Sequence, residues 1–235
     1  PYTTLFRSNI IVTGASRGIG FELAKQHLEL GNRVLTVSRN VDKLKELTAF
    51  AKENQYQFIG VDLANFDEIS DVLKAVESWN KVDVLYNNAG VCINKPFIEM
   101  QQEDLLTSWQ INFMAPYRLI QVLMPKFDTS SHVVNISTMG AVQGSVKFPG
   151  LSVYSSSKSA TVNLTELLAE ELKDHGPRIN AVALGAVQTE MLEEAFQGYI
   201  APLQPDEMAE YLVDFGLNGW KYFNGKIQQA SISTP

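Results

Sequence analysis

Tyr154 and Lys158, four positions apart, are the pair in this chain best suited to moving a proton. A phenol with an ordinary pKa of ~10 exchanges its proton poorly near neutral pH, and an adjacent ammonium favours its phenolate. Residues i and i+4 share a helix face, and the stretch after Tyr154 reads as helix through Leu164, Leu167 and Leu168, so one cleft can receive both side chains. The same spacing recurs at Tyr222 and Lys226. There Asn224-Gly225 lies between the two and favours a turn, so that pair need not share a face.

A second constellation sits near the start. TGASRGIG carries Gly14, Gly18 and Gly20 in a GxxxGxG spacing, directly after a β-branched run and at the opening of an amphipathic stretch. A turn this tight, pressed against a pyrophosphate, tolerates little side chain, and the helix N-terminus beyond it favours anionic oxygen. Ser16, Arg17 and Ile19 belong to the same turn and are expected to share the cofactor contact. In dinucleotide folds the residue closing the second strand reads the adenosine ribose, and an acid there selects NAD. Here that place is Ser38, with Arg39 beside it and Arg17 in the turn, both able to reach a 2′-phosphate. NADP(H) is the expected cofactor, ahead of NAD(H).

These groups need a scaffold, and the rest of the chain supplies one. Short β-branched runs alternate with amphipathic stretches, the pattern of βαβ units and a parallel sheet. Seven strands are expected: Asn9 to Thr13, Arg33 to Ser38, Gln57 to Val61, Val82 to Tyr86, His132 to Ile136, Arg178 to Ala183 and Lys226 to Ala230. Among the helices, Ile19 to Leu30 ends at the natural cap Gly31, Asn65 caps a helix through Ser78, and Gln102 to Lys126 is bent by Pro116. The expected fold is α/β, a Rossmann-type doubly wound parallel sheet with helices on both faces in a single domain over 9–235. The octapeptide PYTTLFRS, Pro1 to Ser8, reads as the translation of a common sequencing-adapter end, so 1–8 is expected to be a non-native tail.

Glycine turn, VDL at Val61 to Leu63, NNAG at Asn87 to Gly90 and YSSSK at Tyr154 to Lys158 follow one another in an order and spacing that resemble the short-chain dehydrogenases/reductases, from Asn9 to about Met191. The resemblance implies that Asp62 and Leu63 sit near adenine and that Asn88, Ala89 and Gly90 shape the cofactor cleft, Asn88 mainly by stabilising the sheet. LGAVQT resembles the family's PG-x-V-x-T. That likeness implies cofactor contacts at Gly185, Val187 beside the carboxamide and Thr189 beside the phosphates, with Leu184 where proline is usual. It further implies that Lys158 bonds the nicotinamide ribose, that Asn112 in QINFM holds a water for proton relay, and that VNIST supplies the substrate-orienting hydroxyl from Thr138, with Ser137 as the alternative. Thr138 stands where serine is normal, and its methyl crowds the pocket. A homodimer or homotetramer is implied through the long helices bearing Asn112 and Tyr154, although FNGKIQQASISTP lacks the family's Asp-Gly-Gly ending.

The expected activity is hydride transfer between NADP(H) and a small carbonyl or alcohol, with Tyr154 carrying the proton and Thr138 orienting the oxygen. The alternative is a non-catalytic NADP(H)-binding sensor or scaffold of the same fold. Substrate choice is expected to reside in Glu190 to Asn218, with Ala195, Phe196, Tyr199 and Ile200 as an apolar lid and Gln143 to Gly150 bulging over the mouth. Cys92 and His27 read as packing residues, and His132 and His175 not as metal ligands; no metal is expected. The net charge of −7 in 235 residues speaks against nucleic acid. A single cysteine points to a reducing cytoplasm, and the lack of a long apolar run to a protein off the membrane.

Overall fold

The computed structural model describes residues 7–232. Its seven strands are β1 (Asn9–Thr13), β2 (Arg33–Ser38), β3 (Tyr56–Gly60), β4 (Val84–Asn87), β5 (His132–Thr138), β6 (Arg178–Leu184) and β7 (Ile227–Ala230). They form one sheet in the order β3-β2-β1-β4-β5-β6-β7, every pairing parallel. The order reverses between β1 and β4, and a crevice opens there beyond the strands' C-terminal ends. The expected division at Asn9 falls beside Ser8, whose carbonyl accepts the Arg33 N–H (2.8 Å); 1–6 of the expected tail lie outside the described residues.

Alternation along the strands splits the core in two. Ile10, Val12, Val34, Val84 and Tyr86 face α1 (Gly18–Glu29) and α8 (Pro205–Asn218), where Leu23, Leu28, Met208 and Leu212 meet them. Ile11, Leu35, Leu85 and Val133 face the opposite layer, with Val72 of α3 (Ser70–Ala75) and Leu119 and Leu123 of α5 (Ala115–Leu123). A period of two thus delivers each strand's apolar residues to both layers. The second half of the segment expected to choose substrate, α8, is therefore core rather than cleft.

Two helices depart from expectation. Asn65 does not cap a helix: its Oδ1 accepts the Asp67 N–H and its Nδ2 donates to Glu68, so the chain turns through i+3 bonds and becomes helical only at Ser70. Such local side-chain bonds compete with a regular helix. The stretch expected from Gln102 to Lys126 is helical throughout but changes pitch, from α4 (Gln102–Trp109) through a π turn at Gln110–Met114 into α5. Pro116 has no N–H to give the Asn112 carbonyl four residues back, and Thr161 Oγ1 of α6 (Ser152–Glu171) donates to that carbonyl instead (2.7 Å).

The histidines in the core are structural. His27 Nε2 lies 2.9 Å from the Tyr86 hydroxyl, which donates onward to Leu212 O, and its Nδ1 lies 3.0 Å from Asn32 Nδ2. His132 donates from Nδ1 to Gly216 O (2.9 Å) and accepts at Nε2 from Asn180. Burial pushes His27 down to about 3 and His132 to about 4, so both stay neutral. At the other Tyr-x-x-x-Lys match, Asn224-Gly225 forms a turn in which Gly225 has φ +68° and Tyr222 is exposed, so the pair shares no helix.

Candidate active site

A cleft of about 650 Å³ runs across the sheet's C-terminal edge. Its floor at one end is the glycine turn between β1 and α1. A Cβ on Gly14 would lie 2.7 Å from Ala89 Cα, and one on Gly20 would overlap Gly14 O and Asn88 Nδ2. Thr13 Oγ1 accepts the N–H groups of Asn88 and Ala89, and Asn88 Nδ2 donates to Thr13 O (3.0 Å) and Gly14 O (3.2 Å), so the turn is bolted to the end of β4. No acidic residue occupies the first turn of α1 and no side chain caps it, which leaves its N–H groups available to an anion. The cradle fits a dinucleotide pyrophosphate: backbone lines it where side chains would fill it. Ser16, Arg17, Gly18 and Ile19 line it as well.

At the adenosine end, Ser38 closes β2 and Arg39 is exposed beside it, with no hydrogen bond or ion pair among the described residues. Arg17 differs from expectation. It is held by both carboxylate oxygens of Glu194 (Nη2 to Oε2 3.0 Å) on α7 (Glu190–Ala195), which also raises the guanidinium's pKa. Asp62, whose Oδ1 accepts the Ala64 N–H, and Leu63 form the adjoining wall.

The other end gathers groups able to exchange protons. β5 ends at Thr138, and α6 begins two residues before Tyr154, so the tyrosine in the first turn and Lys158 one turn on both face the cleft. The Thr138 hydroxyl lies close enough to the Tyr154 phenol to act on its pKa. Ser137 instead reaches back to Lys158 O (3.4 Å), so of the two hydroxyls it is Thr138 that meets the tyrosine. Lys158 Nζ donates to Ile136 O (2.8 Å), and a Cβ on Gly90 would lie 3.3 Å from that nitrogen. Leu184 continues β6 in register with Thr138 and Ala230, and the Gly185 N–H donates to Ala230 O, so the ladder runs through Leu184 to Gly185. Val187 is buried at the cleft wall, and Thr189 caps α7 through Leu192 N (3.2 Å).

Asn112 is the one expected site residue off the cleft wall. Its Oδ1 accepts the Val91 N–H (2.9 Å), and its Nδ2 donates to Val91 O and Ser157 Oγ (both 3.0 Å), so its amide holds the chain leaving NNAG against α6. Electrostatics also differ from the simple ammonium-phenol picture. Burial drives Tyr154 well above its ordinary value, opposed by the nearby Thr138 hydroxyl, while burial brings Lys158 down to about 8. Without ligand, desolvation outweighs the attraction of the pair, and the tyrosine is a neutral acid. Cys92 lies beside them in the cleft, its thiol pushed up to about 11 by burial.

Several contacts at the mouth were not legible in the sequence. Phe148 of the bulging loop meets Phe196 edge to face, centroids 6.4 Å apart, and Asn94 Nδ2 donates to Ala195 O (2.7 Å) across the opening. Tyr199 lines the cleft, whereas Ile200, expected in the lid, points to solvent and is 86% exposed. Phe196 and Phe148 are 48 residues apart and Arg17 and Glu194 are 177, so no local pattern announces either pair.

Comparison with known proteins shows the family and the fold. The family profile described as short chain dehydrogenase matches residues 8–199. A 3-oxoacyl-(acyl-carrier-protein) reductase of Rickettsia bellii is 33% identical over 186 residues, 78% of this chain and 74% of that protein. An L-2,3-butanediol dehydrogenase of Corynebacterium glutamicum is 34% identical over 189 residues, 77% of this chain and 70% of that protein. Among solved structures, a short chain dehydrogenase of Burkholderia cenocepacia in complex with NADP has a TM-score of 0.86 at 22% identity, covering 97% of this chain and 98% of that one. A 3-ketoacyl-(acyl-carrier-protein) reductase of Brucella melitensis complexed with NADH has a TM-score of 0.85 at 21% identity, covering 96% and 97%. At such identities the structures speak for the fold alone.

Proposed function

The chain belongs to the short-chain dehydrogenase family, whose members act as oxidoreductases on CH–OH and C=O groups, and from that premise we propose that it is an NADP(H)-dependent carbonyl reductase or alcohol dehydrogenase with Tyr154 as the acid or base. The observation that carries this reading is the meeting of Tyr154, Thr138 and Lys158 in the same cleft as the glycine turn. The dinucleotide supplies, when bound, the hydride donor or acceptor. The chain's own residues do the rest. Thr138 donates a hydrogen bond that orients the substrate oxygen, and Tyr154, neutral at physiological pH, gives that oxygen its proton in the reducing direction. Lys158 holds its ammonium behind the tyrosine and lowers the cost of the phenolate left behind. Asn112 positions Val91 and Gly90 beneath the lysine.

The preference for NADP(H) rests on this chain alone, since the two solved relatives carry different dinucleotides. Ser38 offers no carboxylate to a ribose 2′-hydroxyl, and Arg39 is free to meet a 2′-phosphate. Leu105, Leu106, Trp109 and Tyr117 are exposed on α4 and α5, and Trp109, Phe113 and Tyr117 form a ladder of ring contacts, which supports a homodimer or homotetramer through these helices. The lone cysteine favours a reducing cytoplasm. The test is equilibrium binding of NADPH and NADH to wild type and Arg39→Ala. NADPH is expected to bind at least tenfold more tightly than NADH, with the advantage mostly lost in the variant. Equal affinities in the wild type would overturn the cofactor assignment.

A further inference from the structure

We infer that the substrate is an uncharged, apolar-flanked carbonyl compound or alcohol taken free from solution, not an anion and not an acyl group presented by an acidic carrier protein. This rests on the oxidoreductase reading of the same cleft. Among the described residues three cations line the cleft, and each is accounted for away from a substrate tail. Arg17 is bound to Glu194, Arg39 stands at the end of β2, and Lys158 is buried with its Nζ on Ile136 O. The cleft wall on the Tyr154 side of the glycine turn includes Cys92, Met139, Phe148, Leu151 and Phe196, while the α7 carboxylates Glu190 and Glu194 stand at the other end beside Arg17. A carboxylate seated there would give up its hydration with no cation to replace it.

The mouth argues the same way against a carrier. Its two lysines are already engaged: Lys95 pairs with Asp104 (2.6 Å), and Lys147 donates to Gly140 O (2.8 Å) and Val142 O (2.6 Å). An acidic protein docking here would meet one uncompensated ammonium, Lys147, drawn inward onto those carbonyls, a weak field to steer it. The Phe148–Phe196 contact and the Asn94–Ala195 hydrogen bond roof the opening, a closure that suits a compact ligand able to be enclosed. In reduction the carbonyl carbon gains one hydride from NADPH, its oxygen gains one proton from Tyr154, and the alcohol leaves.

The experiment uses matched probes. Reduction by NADPH is compared for 2-octanone and 7-oxooctanoate, which differ by a terminal methyl against a carboxylate, and for the 3-oxooctanoyl thioesters of N-acetylcysteamine and of acyl carrier protein. The neutral ketone is expected to exceed the keto acid at least tenfold in kcat/KM, and the carrier thioester to gain nothing over the small one. Phe148→Lys, on a partly exposed loop, is expected to shift the ratio tenfold or more toward 7-oxooctanoate. Equal or better turnover of the keto acid by wild type, or a tenfold gain from the carrier, overturns the inference. Binding of 2-octanone and 7-oxooctanoate in the presence of NADP+, followed by ligand-observed NMR, separates it from the reading it rests on. If nothing is reduced yet 2-octanone binds tenfold more tightly, the reductase reading falls and the inference stands; if the keto acid binds equally well, the inference falls too.

Discussion

Replacing Lys158 with methionine should make the protein more stable at neutral pH while abolishing turnover. Burial holds the Lys158 pKa at about 8 against an ordinary 10.5, so folding gives up about 3 kcal/mol to carry the ammonium at pH 7. Methionine keeps most of the volume and removes that cost, but it also leaves Ile136 O without its donor, a loss of about 1 kcal/mol. The expected net gain at pH 7 is about 2 kcal/mol. Between pH 8 and 10.5 the unfolded lysine binds a proton that the folded one has released, so wild-type stability rises with pH relative to the variant. The gap should close by about pH 10 and reverse above 10.5. Urea unfolding of both proteins at pH 7 and pH 10 measures the difference, in which other titrating groups largely cancel. A variant less stable at pH 7, or a gap that does not change with pH, would refute the reasoning that this site is held against a desolvation cost.

Three further outcomes are expected. Neutral when folded and protonated when unfolded, His27 and His132 contribute stability that is present above pH 6.5 and lost as pH falls toward their folded values of about 3 and 4. Each should cost about 2 kcal/mol on going from pH 7 to pH 5, and urea curves that coincide at the two pH values would sink this account. Gly20→Ala should weaken NADPH binding more than tenfold and destabilise the fold by ~2 kcal/mol, because the new methyl meets the Gly14 carbonyl; calorimetric titration of the folded variant decides. Cys92→Ala should keep kcat within about threefold, and the wild-type thiol, at a pKa of about 11, should alkylate on the order of a hundredfold more slowly at pH 7 than one at 9.0. Fast alkylation or a dead variant would give the cysteine a chemical part.

How much of this was legible depended on how local the cause was. All seven strands were recognisable, the central ones because strands buried on both faces are short apolar runs rich in β-branched residues, with β1 and β2 at their full extents; the half-exposed edge strand β3 was displaced by one residue. The glycine turn and the Tyr154–Lys158 pair were readable because each is set by one stretch of backbone. Asn65 misled because an asparagine bonds its own turn as readily as it caps a helix. The Arg17–Glu194 and Phe148–Phe196 contacts, and the buried station of Asn112 behind Val91, arise only when distant elements pack. The same is true of the upward shift at Tyr154, since spacing reveals the neighbouring ammonium but not the desolvation that outweighs it.

The most direct test of the central claim is turnover of NADPH with a panel of neutral ketones and aldehydes by wild type and Tyr154→Phe, with NADPH affinity measured on both. The phenylalanine variant is expected to bind NADPH within about threefold of wild type and to lose at least a thousandfold in kcat, since a phenyl ring has no proton to give. A Tyr154→Phe protein that reduces the same carbonyls within tenfold of wild type would contradict it.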